Sequence, residues 1–205
     1  MKRTGFSVFY VRSARYGTTF VVNKAAHMDL IARADTSPEL SSYELGTPTF
    51  DYVFEGEPRR TSVPLSGRRK DGKLVFWDVA QDRYSKESAR ALEVRRQHAQ
   101  LQGAEYVLFD RVLGDSFAEV KNRKSAQLML FQAFGLNTED TETRALLAVQ
   151  AGPRAIGDLA RSIGVAVSVM TVASLRLWLK GRAQVPMTTQ LLQPSWLLSR
   201  STGYA

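Results

Sequence analysis

Apolar positions recur with period two near the amino terminus and with helical spacing soon after. Phe6–Val11 and Thr18–Val22 alternate or run apolar, which predicts two short strands joined as a hairpin across Arg15–Gly17. From Asn23 to Ala34 the apolar residues Ala26, Leu30, Ile31 and Ala34 follow helical spacing, with Asn23 as the expected N-cap. The stretch DTSPELSS ends that helix. Residues 43–80 then read as strands punctuated by turn residues at Glu55–Pro58 and Lys70–Gly72, where Asp71-Gly72 suits a hairpin.

Ser85–Gln102 carries Ala89, Leu92, Val94, Ala99 and Leu101 among many charges. This predicts an amphipathic helix closed by Gly103. AEYVLFD follows as an uninterrupted apolar strand. A strand–helix–strand passage whose second strand is apolar throughout predicts parallel pairing. Phe117–Phe134 reads as a helix ending at Gly135. Beyond the polar linker NTEDTET the pattern is wholly helical, over Glu142–Ala151, Pro153–Ser162 and Val167–Leu179. Pro153 suits a first helical turn and Gly164 a helix end. The boundary predicted from this change of character divides the chain into 1–136 and 137–205.

Composition bounds what such a chain does. Its 205 residues are 44% hydrophobic and 23% charged, enough for a packed core. No apolar run is long enough to span a membrane, the start lacks a cleavable leader pattern, and no internal repeat is present. The absence of cysteine excludes disulfides, thiolate metal sites and cysteine nucleophiles. A cytoplasmic location is expected, with association to the nucleoid when DNA is bound.

Charge sharpens the picture. Twenty-eight Lys and Arg against 20 Asp and Glu give a net charge of +8, the balance of a protein that meets a polyanion. The excess gathers at Arg59-Arg60, Arg68-Arg69-Lys70, Arg95-Arg96, Lys121/Arg123/Lys124 and Arg176/Lys180/Arg182. The clusters therefore point to DNA or RNA, and DNA is the partner expected once the carboxy-terminal helices are read.

The carboxy-terminal helices have the outline of a helix-turn-helix. Ile156, Leu159, Ala160 and Ile163 give the first helix an apolar face, and Gly164-Val165 makes the turn. In the second helix Val169, Val172, Leu175 and Leu179 are expected inward, and Ser168, Thr171 and Arg176 outward. A recognition helix needs such a back face, with short polar or basic residues in front to reach phosphates and base edges. Lys180 and Arg182 lead into a candidate wing, AQVPM. Candidate DNA contacts are thus Ser168, Thr171, Arg176, Lys180 and Arg182, with Arg68, Arg69 and Lys70 at the first-domain hairpin tip. Trp178 and Trp196 read as core or docking residues.

One further outline carries chemistry. GKLVFWDVAQD (Gly72–Asp82) is a buried strand ending in acidic residues, and VPL (Val63–Leu65) precedes it. Restriction-type nucleases hold Mg²⁺ between a carboxylate at one strand end and a (D/E)xK on the neighbouring strand. The segments SSYELGTPTFDYVFEGEPRRTSVPLSGRRKDGKLVFWDVA and ALEVRRQHAQLQGAEYVLFDRVL resemble the TnsA family, the endonuclease subunit of heteromeric transposases. The resemblance spans roughly residues 20–135. It implies a PD-(D/E)xK fold, a restriction-endonuclease-like mixed α/β sheet with flanking helices. The family's C-terminal helical DNA- or partner-binding region is similar in placement to residues 142–205, where the helix-turn-helix outline predicts a small helical, winged-helix-like domain.

The family's catalytic residues do not carry over. Leu65 stands at the first carboxylate, Asp78-Val79-Ala80 replaces EVK so that the lysine is absent, and the helical glutamate falls near Asn23 or His27. One anionic ligand is too few to hold Mg²⁺ on protein groups. Asp78 is the single weak metal or catalytic candidate, and no cofactor is expected unless Mg²⁺ serves an active enzyme.

A second match, Asp110 with Glu119-x-Lys121, falls in a segment of helical period, where the two side chains diverge. His27 and His98 each stand without a visible partner set.

The leading expectation is a non-catalytic DNA-binding protein that holds DNA or docks onto a transposition or recombination complex. Alternatives are a transcription regulator with a nuclease-derived scaffold, an active Mg²⁺-dependent endonuclease, and a structural component of a mobile element.

Overall fold

Residues 8–80, 85–109 and 117–201 are described by the computed structural model; the expected strand start at Phe6, and Asp82 and Asp110, lie outside them. The expected amino-terminal hairpin is present. β1 (Phe9–Ser13) pairs antiparallel with β2 (Thr18–Val22), placing Tyr10 opposite Val21. Gly17 turns it at φ 63°, an angle that strains any other residue, and a Cβ there would lie 2.6 Å from the exposed Phe134 ring and push it aside. Helix α1 (Ala25–Asp35) buries Leu30, Ile31 and Ala34. Its N-cap residue is Lys24 rather than the expected Asn23, and no side chain caps the first turn.

β3 (Leu40–Leu45) begins the main sheet. β4 (Thr49–Phe54) and β5 (Glu57–Ser62) leave it as a separate antiparallel hairpin. Glu55 at φ 52° and Gly56 at φ 82° make that turn, the pairing of two positive angles that matches strand twist. β6 (Leu65–Arg69) and β7 (Leu74–Val79) return to the sheet through the Asp71-Gly72 turn, with Gly72 at φ 86°. Helix α2 (Lys86–Leu101) then crosses over to β8 (Glu105–Phe109), which runs parallel to β7 as expected. Ser85 starts α2 by accepting from the Ser88 amide at 3.1 Å. The finished sheet has the order β3-β6-β7-β8.

Helix α3 (Phe117–Gln132) leads to α4 (Glu139–Ala148), which starts three residues before the predicted Glu142. Pro153 does not open a helix: it precedes β9 (Arg154–Ala155), and α5 (Ile156–Ile163) begins after that strand. Gly164, at φ 78°, ends α5 in the left-handed region, and α6 (Val167–Leu179) sets off at a bend of 114°. β10 (Ala183–Gln184) and β11 (Leu197–Arg200) complete a second small sheet, ordered β10-β11-β9. β10 falls in the candidate wing AQVPM, whereas β9 and β11 were not foreseen, because pieces of two to four residues show no periodicity.

Three apolar clusters hold the molecule. One joins β1, β2, α1 and one face of the main sheet through Leu30, Ile31, Leu65, Val75 and Trp77. A second lies on the other face, where Phe50, Val63, Phe76, Val94 and Ala99 meet under α2. The third is built on α4, α5, α6 and the fully buried Trp196, and takes in Ala126 and Leu130 of α3 with Ala133 just beyond its end. The carboxy-terminal core therefore crosses the expected 136/137 boundary. The same α3 is tied to α1, since Arg123 donates to the Thr36 carbonyl at 3.1 Å and Gln127 to Asp35 at 3.0 Å.

Candidate functional site: the cavity beside Asp78

Asp78 lies one residue before the end of β7, and both oxygens of its carboxylate accept hydrogen bonds. One oxygen, Oδ2, receives Arg95 Nε and Nη2 at 2.7 Å each and the Tyr106 hydroxyl at 2.7 Å; Oδ1 receives the Val79 amide at 2.8 Å. Arg95 is one α-helical face of α2 turned down onto the sheet, and its third nitrogen donates to Thr61 Oγ1 at 2.6 Å. Both side chains are almost wholly buried, at 10% and 6% exposure. A buried carboxylate must be paired, and here the pair is a guanidinium. Tyr106 is held as a neutral donor, because burial first and the Asp78 charge second push its ionisation well above the ordinary range.

Pleating corrects one sequence expectation. Leu65 pairs with Trp77 across β6–β7, so it shares Trp77's face and lies in the core opposite to the side Asp78 takes. Pro64, one residue earlier, lines the cavity with Asp78 and Ala80. The position lining the cavity with Asp78 from the neighbouring segment is thus a pyrrolidine ring, which offers no oxygen ligand. Among the described residues no group of three or more His, Asp or Glu side chains stands close enough to hold a metal ion.

The cavity itself has a volume of about 870 Å³. Asn23, Lys24 and His27 enter it from the first turn of α1, so the two positions matched to a helical glutamate do reach this site. His27 titrates below its ordinary value, chiefly through burial and then through the Lys24 charge. β5 supplies Arg60, Thr61 and Ser62, and α2 supplies Ser85 and Ser88. Val8, Val21 and Tyr52 form an apolar portion of the wall. Lys24, Tyr52 and Arg60 were not singled out for this site from sequence; only the fold brings these separate segments together.

The basic residues expected to meet DNA divide sharply. Thr171, expected outward, is buried and its hydroxyl donates to the Val167 carbonyl at 2.8 Å. α6 is covered on almost every side, because α3 and α4 pack where a free recognition face was expected. Arg176 donates to the Ala133 and Leu136 carbonyls and to Thr138 Oγ1 at 2.6–2.9 Å, closing the end of α3. Lys180 lies 2.6 Å from Glu142, whose side chain is buried. Ser168 and Arg182 are exposed.

At the β6–β7 turn, Arg69 bridges Glu39 and Glu105 at 3.2 and 2.9 Å, and Lys70 donates to the Leu179 carbonyl at 2.9 Å. Arg68 is exposed and bonds its own turn through the Gly72 carbonyl. The trio is therefore not a free tip: two of its members join parts of the fold.

Glu119 lies on α3, as its helical period predicts, and pairs with Arg123 at 2.8 Å and Arg33 at 3.6 Å. His98 stacks flat on Phe50 with ring centroids 4.0 Å apart, a packing role. No family model matches the sequence, and no curated protein matches it.

Proposed function

We propose that this chain is a non-catalytic DNA-holding protein built on a TnsA-like, PD-(D/E)xK nuclease framework. The order α1, β3, β6, β7, α2, β8, with two antiparallel pairings and one parallel one, supports that framework. The order α4, β9, α5, α6, β10, β11, with its three-stranded sheet, supports a winged-helix-like second part. One observation carries the reading of lost catalysis: the guanidinium of Arg95 places two nitrogens on Asp78 Oδ2, and the Val79 amide bonds Oδ1, so the carboxylate a divalent cation needs is already paired. The net charge of +8 supports a polyanionic partner.

DNA is then held through exposed cations such as Arg68 and Arg182 with Ser168, rather than through the sealed middle of α6. Such a protein serves a transposition or recombination complex as a docking subunit in the cytoplasm.

Gel shifts across a salt series test this reading. Binding that falls steeply with salt is expected, together with intact plasmid after incubation with Mg²⁺ or Mn²⁺. Absence of binding at every salt concentration overturns it. Cleavage that disappears in Asp78→Ala reinstates an active nuclease instead.

A further inference from the structure

The Asp78 cavity keeps a shape and lining that a silenced metal site does not need. We infer that it takes one unpaired nucleotide, so that the protein holds DNA at a single-stranded end or branch rather than along a continuous duplex. The inference rests on the DNA-holding reading and names which DNA.

Size is the first argument. A cavity of about 870 Å³ lies in the range that encloses one drug-sized ligand, roughly 300–1,000 Å³. A base pair is buried in a stack whose major groove alone is about 12 Å wide, so a duplex passes over such a cavity and does not enter it. A nucleotide enters only when it is unpaired or turned out of the stack.

Lining chemistry is the second. Lys24 stands at the cavity beside an α1 first turn that has neither a side-chain cap nor an acidic residue, an arrangement that favours an anion. Arg60 adds a second cation; its partner Asp51 is equally exposed, and a surface pair of this kind exchanges readily for a phosphate. Against these stands an apolar portion, Val8, Val21 and Tyr52. Val8 and Val21 are 53% and 64% exposed, more than a core requires. Cations and apolar, aromatic side chains on one cavity suit a phosphate and its base, the pairing that single-strand binders use, and the one further carboxylate among the lining residues, Glu87, is paired with Arg59 at 3.1 Å. Arg95 and Asp78 neutralise each other at the cavity wall, so neither repels the phosphate.

Fluorescence anisotropy with the full chain separates the sources of that chemistry. The probes are a duplex with a four-nucleotide overhang, the same duplex closed at both ends by hairpin loops of non-nucleotide linker, a single-stranded oligonucleotide and a deoxynucleoside monophosphate. The overhang duplex is expected to bind roughly ten-fold more tightly than the closed one, the scale of one stacked base. Competition by the free monophosphate at millimolar concentration, without displacement from the closed duplex, places the nucleotide itself in the cavity. Lys24→Glu and Val21→Asp, both at exposed positions, are expected to abolish the preference while leaving closed-duplex affinity and the circular dichroism spectrum unchanged. Equal affinity for open and closed duplexes, or a preference that survives both substitutions, overturns the inference and leaves the DNA-holding reading standing. Failure to bind any of the four probes removes both.

Discussion

Two buried aspartates solve the same physical problem in opposite ways. Asp78, at the cavity, is neutralised by a cation: Arg95 puts two nitrogens on one carboxylate oxygen. Asp35, at the end of α1, is 2% exposed and is held by neutral donors instead. Ser13 Oγ, Tyr43 Oη, the amides of Ala14 and Arg15, and Gln127 Nε2 all reach it within 2.8–3.4 Å. Those donors come from the β1–β2 turn, β3 and α3, so Asp35 is a junction between elements. Tyr43 stays protonated there, driven upward by burial and then by the Asp35 charge. Strand position made Asp78 look functional, whereas nothing in the sequence marks Asp35. The lesson is that a buried carboxylate is defined by its donors, which come from distant parts of the chain.

The contrast is broken most severely at the junction. Asp35→Ala strands several buried donors at once and is expected to cost about 4–5 kcal/mol, read as a fall in urea midpoint. Arg95→Met leaves the Asp78 charge alone in a buried setting and is expected to cost about 3–4 kcal/mol. Adding Asp78→Leu to that variant is expected to recover most of the loss, since a pair removed together leaves no orphan charge. Strictly additive losses in that cycle would mean that the two groups do not depend on each other.

Arg176→Ala extends the comparison to the carboxy-terminal half. It uncovers the carbonyls at the end of α3 and is expected to cost about 2 kcal/mol while DNA affinity stays unchanged. Arg182→Glu is expected to do the reverse, weakening DNA binding without moving the urea midpoint. The smallest effect belongs to His27. Its folded pKa lies below the ordinary 6.5, so the unfolded chain binds more protons as pH falls below that value. Stability therefore declines from neutral pH towards acid, and His27→Gln is expected to flatten that decline, read as a smaller difference in urea midpoint between pH 7 and pH 5.

How much of this was legible follows from where the information sits. β7 and β8 were readable as apolar runs bounded by Gly72 and Gly103, and α2 because its sixteen residues keep a helical spacing of apolar positions between Ser85 and Gly103. The α5–α6 turn was readable because Gly164 marks it. The exposed face assigned to α6 was not, because VASLRLWL is apolar nearly all round, a sign of burial that helical-wheel reasoning on Ser168, Thr171 and Arg176 outweighed. Leu65 was put on the wrong side because a strand's register, unlike its existence, depends on a partner far along the chain. The cavity lining was legible only at Asp78, Asn23 and His27, the positions a family pattern marks. Lys24, Tyr52, Arg60 and Arg95 belong to segments that meet only after folding.

Helix α3 has a consequence for heredity. Its small apolar residues complete one core while its polar ones hold the Thr36–Asp35 corner. A graft that swaps the tail of this protein at residue 137 would leave the corner intact but cut the core that Ala126 and Leu130 share with the later helices; a viable chimera has to carry the whole of residues 117–201 and match the Thr36–Asp35 corner it inherits.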